Sequence, residues 1–355
     1  MIDLIPEFYA NWHVAPKMLL LSAFFAVGIV FLIKFCDLFV GSASAIAKKL
    51  HISPMIIGLT VVAMGTSCPE LAASVSDSIS SIINSGNANI AIGNVVGSNI
   101  FNILLVLGLS IIFTPIIIKP STIKKEFTFL IGVSLLFVFF GIFFGVGSVV
   151  GNYAILRWEG IIFVVLSIAY LTYLVIDAKR HPTDIPQDEI KDMKLWKAIL
   201  FVILGAAGIA LGGECLVFGA KGIALTGAIG MGLNPDLAES LVGLTIVAVG
   251  TSLPELVTSV VAAKKGENDI ALGNVIGSNI FNILFVLGIA STINPLTTSN
   301  EILVDLIVMI CVTFLLFGFA LTKKLNRKMG IIFITIYVIY LAYLILRTLG
   351  IIPQM

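Results

Sequence analysis

Two segments of this chain occur twice. Residues 58–75 (GLTVVAMGTSCPELAASV) match residues 243–260 at 13 of 18 positions, and residues 90–108 match residues 270–288 at 16 of 19. The identical positions include Gly, Thr, Ser, Pro, Glu and Asn, which chance similarity between apolar helices does not produce. The chain is therefore predicted to be an internal duplication, a feature that constrains the fold before any local pattern is considered.

The duplicated segments lie in an apolar chain. Of its 355 residues 59% are hydrophobic and 12% are charged, whereas soluble domains carry roughly 25% charged residues. A helix needs about 20 apolar residues to cross a membrane. The apolar runs predict an all-α integral membrane protein with ten spans, near residues 17–40, 54–83, 89–113, 127–147, 153–177, 197–225, 236–263, 269–293, 302–321 and 329–349.

Basic residues predict how these spans are oriented. With the N-terminus outside, the cytoplasmic side receives 16 of the 21 Lys and Arg residues, as the positive-inside rule requires. Both termini are then expected to be extracellular, in a multi-pass protein of the cell membrane. The polar residues 179–195 are predicted to be a cytoplasmic linker between residues 1–178 and residues 196–355.

Each half holds five predicted spans, so the second repeat is expected to enter the membrane upside down relative to the first. The link between the matched segments is uncharged in the first repeat and carries Lys264 and Lys265 in the second, in agreement with inversion. The ion-binding segments are predicted at residues 58–84 and 89–108, and at residues 243–263 and 269–288. Inverted repeats are typical of secondary transporters, whose sites lie near the membrane midplane.

The run Gly-Thr-Ser-x-Pro-Glu stands in the middle of a predicted span in both repeats. Pro69 and Pro254 lack an amide hydrogen, so each helix is predicted to break there and to leave carbonyl oxygens unpaired. Thr66, Ser67, Thr251 and Ser252 add hydroxyl groups that are expected to cap the restarting helix. Unpaired carbonyl oxygens inside a membrane need a polar partner, and a bound cation can be that partner.

Glu70 and Glu255 follow these prolines directly. A lone charge at the bilayer centre costs about 3 kcal/mol on insertion scales, and none of the four repeat segments contains Lys or Arg. We expect cations or protons to neutralise the two glutamates. Oxygen ligands select hard ions, so Ca²⁺ or several Na⁺ fit this pair of carboxylates.

The second repeated block supplies polar side chains at helical spacing. Asn94, Ser98 and Asn102 recur every fourth residue and so share one face of a helix, and the same holds for Asn274, Ser278 and Asn282. This face is expected to turn toward the glutamates. Gly93 and Gly97, with Gly273 and Gly277, form small-xxx-small patterns that allow close helix approach.

At these two blocks the sequence resembles the calcium/cation antiporter superfamily, in its prokaryotic sodium/calcium exchanger branch. The family motifs G-T-S-x-P-E and G-N-x-x-G-S-N each occur twice. The resemblance implies ten helices as two inverted five-helix repeats, broken at the midplane, around a central group of ion sites. It implies exchange of Na⁺, with three ions expected, for Ca²⁺ by alternating access.

The resemblance also implies which residues bind the transported ions. Glu70 and Glu255 are implied to be calcium ligands shared with sodium. The further implied ligands are Thr66, Ser67, Thr251, Ser252, Ser98 and Ser278, the backbone carbonyls of Ala63 and Ala248, and Asn102 and Asn282. Many relatives, including the potassium-dependent exchangers, have Asp where this chain has Asn282, so transport is expected to be independent of K⁺.

Other functions remain open or are disfavoured at this point. Proton/calcium exchange on the same fold is the nearest alternative, because a glutamate in a dry site can accept a proton. An ion channel is a second one. No nucleophile and base pair, phosphate loop or cofactor motif indicates an enzyme, and a net charge of +1 gives no sign of nucleic-acid binding. A monomeric transport unit in the lipid bilayer is expected, without a cofactor.

Overall fold

Apolar helices make up most of the structure. The computed structural model describes residues 14–83, 90–141, 154–182, 193–230, 250–297, 302–349 and 351. Within these ranges seven helices are long and apolar enough to cross a membrane, or eight when a bent pair is counted as one span. Many large apolar side chains on them are exposed, such as Val338 and Ile339 at 58% and 64%. This is the surface of an all-helical membrane protein.

We number the helices α1 to α11 in chain order, counting a bent span as two and a helix with an internal π-helical segment as one. They are α1 (Val14–Leu50), α2 (Pro54–Thr66), α3 (Cys68–Ile83), α4 (residues 90–113), α5 (residues 120–141), α6 (Arg157–Arg180), α7 (Leu195–Gly230), α8 (Leu253–Lys264), α9 (Asn268–Ile293), α10 (Ile302–Ala320) and α11 (Arg327–Thr348). Part of the predicted spans 127–147 and 236–263 lies outside the described residues. The count of ten inverted spans therefore stays a prediction, as do the domain boundaries.

The predicted span 54–83 is broken as expected. Helices α2 and α3 meet at Ser67 with a bend of 46°. Ser67 has φ −86° and ψ 8°, and Ser252, which precedes α8, has φ −93° and ψ 5°. The two serines thus share one conformation, in the bridge region that residues in tight turns adopt. The half of the second broken span that precedes residue 250 lies outside the described residues.

Close backbone contacts join the two halves of the chain. A Cβ atom added to Gly277 on α9 would lie 2.7 Å from Leu59 Cα on α2, and one added to Gly273 would lie 3.0 Å from Gly58 Cα. The predicted close approach is therefore confirmed for this glycine pair. A Cβ atom added to Gly93 or Gly97 meets no described atom within 4 Å, so their part of the prediction is not supported by the described residues.

The two longest helices, α1 and α7, pack tightly along each other. A Cβ atom added to Gly212 would lie 2.9 Å from Leu32 N, and one added to Gly28 would lie 2.7 Å from Leu216 Cα. Phe39 of α1 lies against Gly205 of α7 and is fully buried. Because side chains are missing at these contacts, the backbones approach one another, and α1 and α7 form one packed pair.

Two small antiparallel strand pairs connect the halves, in addition to the predicted helices. Ile116–Ile117 pairs with Lys324–Leu325, and Ala154–Ile155 pairs with Leu296–Thr297. The second pair lies where α6 begins, whereas Asp177 near the end of α6 contacts Lys125, which follows the first pair. Since α6 has 24 residues, the strand pairs lie about 30 Å apart, at opposite ends of the bundle.

Candidate ion-binding site

The two glutamates singled out in the sequence are fully buried. Glu70 lies in the first turn of α3 and Glu255 in the first turn of α8, and both are 0% exposed. Each follows a helix break, because the adjacent proline cannot continue the preceding hydrogen-bond ladder. The N-terminal ends of helices carry partial positive charge, which favours a carboxylate at this position.

Each glutamate accepts a hydrogen bond from the serine of the other repeat. Ser67 Oγ donates to Glu255 Oε1 at 2.8 Å, and Ser252 Oγ donates to Glu70 Oε1 at 3.0 Å. Ser98 Oγ lies 3.5 Å from the same Glu70 oxygen. The structure therefore brings the carboxylates and serines of both repeats into one site, as the sequence predicted.

The capping role predicted for Ser252 is wrong. Ser252 stands at the N-cap of α8, but its side chain makes no capping hydrogen bond. Its hydroxyl group instead donates to Glu70 and lies 2.9 Å from Ser98 Oγ. A buried carboxylate is a stronger acceptor than a neutral group, which explains why the hydroxyl groups turn across the site rather than along their own helices.

Asn94 and Asn274 hold the two breaks together by the same set of bonds. Asn274 Nδ2 donates to Ser259 Oγ at 2.9 Å, and its Oδ1 accepts from Thr66 Oγ1 at 3.1 Å. Asn94 makes the matching contacts with Ser74 at 3.2 Å and with Thr251 at 3.5 Å. Both asparagines lie on the predicted polar face. Their side-chain amides form hydrogen bonds with serine and threonine side chains and with the backbone oxygens of the two glutamates.

Several buried oxygens of the predicted ligands have no hydrogen-bond partner among the described residues. They include Glu70 Oε2, Glu255 Oε2, Ser278 Oγ, Asn102 Oδ1 and Asn282 Oδ1. An unpaired buried acceptor costs roughly 1 to 3 kcal/mol, and more when it is charged. Carboxylate, amide and hydroxyl oxygens without partners are the kinds of ligand that a hard cation binds.

Two of the remaining predicted ligands, Thr66 and Thr251, contact the asparagines Asn274 and Asn94 of the other repeat. Thr66 is fully buried, and Thr251 is partly exposed. The carbonyl of Ala63 accepts from Ser67 N at 3.0 Å and from Thr66 Oγ1 at 3.3 Å. This carbonyl oxygen therefore already accepts hydrogen bonds from residues at the end of its own helix. Ala248 lies outside the described residues.

Sequence reasoning missed two further buried asparagines, Asn99 and Asn279, through which the two repeats contact each other. Asn99 Oδ1 accepts from Asn282 Nδ2 at 3.3 Å, and Asn99 Nδ2 donates to the backbone oxygen of Asn279 at 3.4 Å. Both Asn99 and Asn279 are buried, at 2% and 1% exposed. Their recurrence in the two copies of G-S-N was a signal, although helical spacing alone places them off the predicted face.

Helices α4 and α9 change from α-helical to π-helical geometry at Asn102 and Asn282. A π-helical stretch begins at Asn102 in α4 and another begins at Asn282 in α9, at the same repeat position. Such stretches are rare and are frequently found at functional sites. Their side chains follow a different periodicity from 3.6 residues per turn, so no hydrophobic pattern predicted them.

No described Lys or Arg side chain forms an ion pair with either glutamate. The described ion pairs involve other acids, such as Asp37 with Lys265 and Asp305 with Arg347. Nor does the described part of the chain contain a group of three or more His, Cys, Asp and Glu side chains that could hold a metal ion. The charge on the two glutamates is thus open to neutralisation by a mobile cation.

Residues 20–176 and 197–346 match the sodium/calcium exchanger protein family. The chain belongs to this family. Over 353 aligned residues it is 34% identical to the sodium/calcium exchanger MaX1 of Methanosarcina acetivorans, covering 90% of this chain and 96% of MaX1. It is 32% identical to the inner membrane protein YrbG of Escherichia coli, with 92% and 97% covered.

A solved sodium/calcium exchanger from Methanococcus jannaschii is similar over 92% of this chain and 98% of that protein, at 32% identity and a TM-score of 0.74. The same is true of the sodium-calcium exchanger NCX_Mj from crystals soaked with Na⁺ and Sr²⁺, at 35% identity and a TM-score of 0.73. The resemblance to the calcium/cation antiporters, in their prokaryotic branch, is therefore confirmed. Members of this family are antiporters, not enzymes.

Proposed function

We propose that this protein exchanges Na⁺ for Ca²⁺ across the cell membrane. The observation that carries the proposal is the pair of fully buried glutamates, each bonded to the serine of the other repeat and each with one oxygen unpaired among described residues. Two carboxylates balance one Ca²⁺, and the surrounding oxygens complete the six to eight that Ca²⁺ prefers. The relatives named as sodium/calcium exchangers support the same ion pair.

Competition between the ions follows from shared ligands. The same ligands hold either Ca²⁺ or Na⁺. They are the carboxylates of Glu70 and Glu255, the hydroxyl and amide oxygens of Thr66, Ser67, Thr251, Ser252, Ser98, Ser278, Asn102 and Asn282, and the carbonyls of Ala63 and Ala248. When the site empties, the two negative charges lose their neutralising ion, and the cost of a charge in the membrane opposes movement of the empty protein. Exchange rather than leak is the consequence.

Alternating access requires one part of the protein to move against another. The packed pair α1 and α7 is a candidate for the moving part, because the backbones contact each other through glycines and so move together. The site helices α2, α3, α4, α8 and α9 form the other part. Cross-linking α1 to α9 is expected to stop exchange while leaving ion binding intact.

We propose a stoichiometry of three Na⁺ for one Ca²⁺, without K⁺. One net charge then moves in each cycle, so the membrane potential contributes about 2.3 kcal/mol per 100 mV. Asn282 supplies a neutral amide where a carboxylate would add a third negative charge, and this supports independence of K⁺. The proposed unit is a monomer of ten spans with both termini outside.

Calcium uptake by proteoliposomes tests these proposals. Vesicles containing the purified protein receive outward gradients of Na⁺, K⁺ or H⁺ in turn, with the potential clamped by an ionophore. A Na⁺ gradient alone is expected to drive uptake, and an inside-negative or inside-positive potential is expected to change its rate. Uptake driven by a pH gradient without Na⁺ would instead identify a proton/calcium exchanger, and uptake without any counter-ion would identify a channel.

A further inference from the structure

Two neighbouring grooves open on the outer side of the helix bundle, between α5 and α6. The larger, of about 440 Å³, runs from Lys124 and Lys125 past Gly132 to Leu136. The smaller, of about 360 Å³, lies beside Glu126, Tyr170 and Tyr173. Both volumes fall in the range of roughly 300 to 1,000 Å³ that is usual for ligand sites. None of their lining residues belongs to the ion-binding site.

The two grooves lie on either side of a common wall. Lys125, Phe129 and Leu166 line both of them. Phe129 stacks on Tyr170 with ring centroids 4.2 Å apart, and Tyr170 OH donates to Glu126 Oε2 at 2.6 Å. Ring stacking and a buried hydrogen bond therefore hold this wall in place. The wall separates the two apolar grooves, and Lys125 lies at the basic end that they share.

The larger groove is lined in part by Gly132, which has no side chain to fill the space beside it. A Cβ atom added to Gly132 would meet no described atom within 4 Å, so the space beside this glycine is open. Lys124 and Leu136 are twelve positions apart on one helical run, which corresponds to about 18 Å. That length is close to half of the roughly 30 Å hydrocarbon core, which is the depth of one leaflet.

The basic residues at one end of the grooves, Lys124 and Lys125, lie outside the predicted spans. Lys125 Nζ donates to Asp177 Oδ1 at 2.8 Å and lies 5.8 Å from the centroid of the Tyr173 ring. The hydrogen bond to Asp177 raises the pKa of the Lys125 ammonium group, so this lysine stays charged. Lys124 is exposed at the same end, and Lys179 and Arg180 are exposed where α6 ends.

The second repeat lacks this basic end. There Asp305 takes the place of Glu126, because Tyr340 OH donates to Asp305 at 2.9 Å as Tyr170 does to Glu126. The residues corresponding to Lys124 and Lys125 are Leu303 and Val304. Arg347 forms an ion pair with Asp305, with Nη2 3.1 Å from Oδ2, and its side chain is mostly buried. Only the first of these two sites thus combines an apolar groove with exposed lysines.

We propose that these grooves bind an anionic phospholipid, with its phosphate beside Lys124 and Lys125 and its acyl chains on the two sides of Phe129 and Leu166. The opposite charges of the lysines and the phosphate select the headgroup, and basic pockets between helices on the cytoplasmic side commonly hold such lipids. Positive-inside orientation places this end in the cytoplasmic leaflet. The proposal does not depend on which ions the protein exchanges.

Native mass spectrometry of the full chain tests the proposal. The protein is purified from vesicles of equal phosphatidylglycerol and phosphatidylcholine, and the lipids that remain bound are counted. We expect one phosphatidylglycerol to be retained at least about tenfold more than phosphatidylcholine. Gly132→Leu fills the larger groove and is expected to abolish this retention. Lys124→Gln is expected to weaken it about fivefold, since each surface lysine contributes about that factor.

Gly318→Leu on α10 is the matched control. A Cβ atom at Gly318 also meets no described atom within 4 Å, and this helix lacks the lysines. The control is expected to retain lipid like the unchanged protein. Equal retention of both lipids, or full retention by Gly132→Leu, would overturn the proposal and indicate bulk bilayer lipid. If Gly132→Leu does not fold, unchanged retention by the exposed variant Lys124→Gln would overturn it as well.

Discussion

Ser67 Oγ lies 2.8 Å from Glu255 Oε1, although 188 positions separate the two residues in the chain. The mirrored pair, Ser252 and Glu70, has the same contact at 3.0 Å. Neither repeat can therefore build the site by itself. Each contributes an acid that the other orients, and the breaks at the prolines are what allow the serines to point across.

Removing either serine hydroxyl group is expected to weaken calcium binding. A hydrogen bond to a charged group contributes about 1.5 to 3 kcal/mol, so Ser67→Ala and Ser252→Ala should each raise the half-saturating Ca²⁺ concentration about tenfold or more. Calcium uptake at fixed Na⁺ measures this. Ser44→Ala is the control, because Ser44 is also buried but donates to Val40 in its own helix. Equal effects at Ser44 and Ser67 would contradict the shared site.

Neutralising the glutamates is expected to stop exchange. Glu70→Gln and Glu255→Gln keep the shape of the side chain but remove the charge that balances Ca²⁺, so uptake should fall to that of empty vesicles. Glu126→Gln serves as control, since Glu126 is a buried acid bonded to Tyr170 outside the ion-binding site. Uptake by Glu70→Gln at the rate of the unchanged protein would remove the basis of the proposed function.

Thermal unfolding separates loss of binding from loss of folding. A ligand at 100 times its dissociation constant stabilises a protein by about 2.7 kcal/mol. Added Ca²⁺ should therefore raise the melting temperature of the unchanged protein and of Glu126→Gln. The melting temperatures of Glu70→Gln and Glu255→Gln should not respond to Ca²⁺, and a response equal to that of Glu126→Gln would show that the glutamates are not ligands.

The contact between α2 and α9 predicts a steric effect. A side chain at Gly277 would meet the backbone of Leu59 at 2.7 Å, and the backbone cannot give way as a flexible side chain can. Gly277→Val should lower stability by about 1 to 3 kcal/mol, the usual cost of overpacking. Gly318→Val adds the same side chain where no described atom lies within 4 Å. Melting temperatures of the two variants in detergent should differ clearly.

The ion pair of α10 and α11 should stabilise the fold more than an exposed one. Arg347 and Asp305 are 14% and 7% exposed, and Tyr340 also donates to the carboxylate. Arg347→Leu leaves a buried charge without its cation, which typically costs about 3 to 5 kcal/mol. Lys119→Leu breaks the pair with Asp269, where Lys119 is 60% exposed, and should cost less than about 1 kcal/mol. Equal unfolding of both variants would contradict the argument.

The sequence alone determined the class of protein and the key residues. Repeated G-T-S-x-P-E and G-N-x-x-G-S-N runs in apolar helices predicted a broken span, two buried acids and a polar helix face, and the break at Ser67 is where the proline places it. These features are local: a missing amide hydrogen, a helical spacing of four and the cost of a charge in lipid each act within a few residues.

The tertiary structure alone decided which side chains meet. The sequence could not show that Ser252 turns to Glu70 instead of capping its helix, that Asn94 and Asn274 clamp the breaks, or that Asn99 joins Asn282. It also gave no sign of the π-helical stretches that begin at Asn102 and Asn282. The physical reason is that Ser252 and Glu70, like Asn99 and Asn282, are more than 180 positions apart in the chain. Whether they meet depends on how the helices pack rather than on the pattern within any one helix.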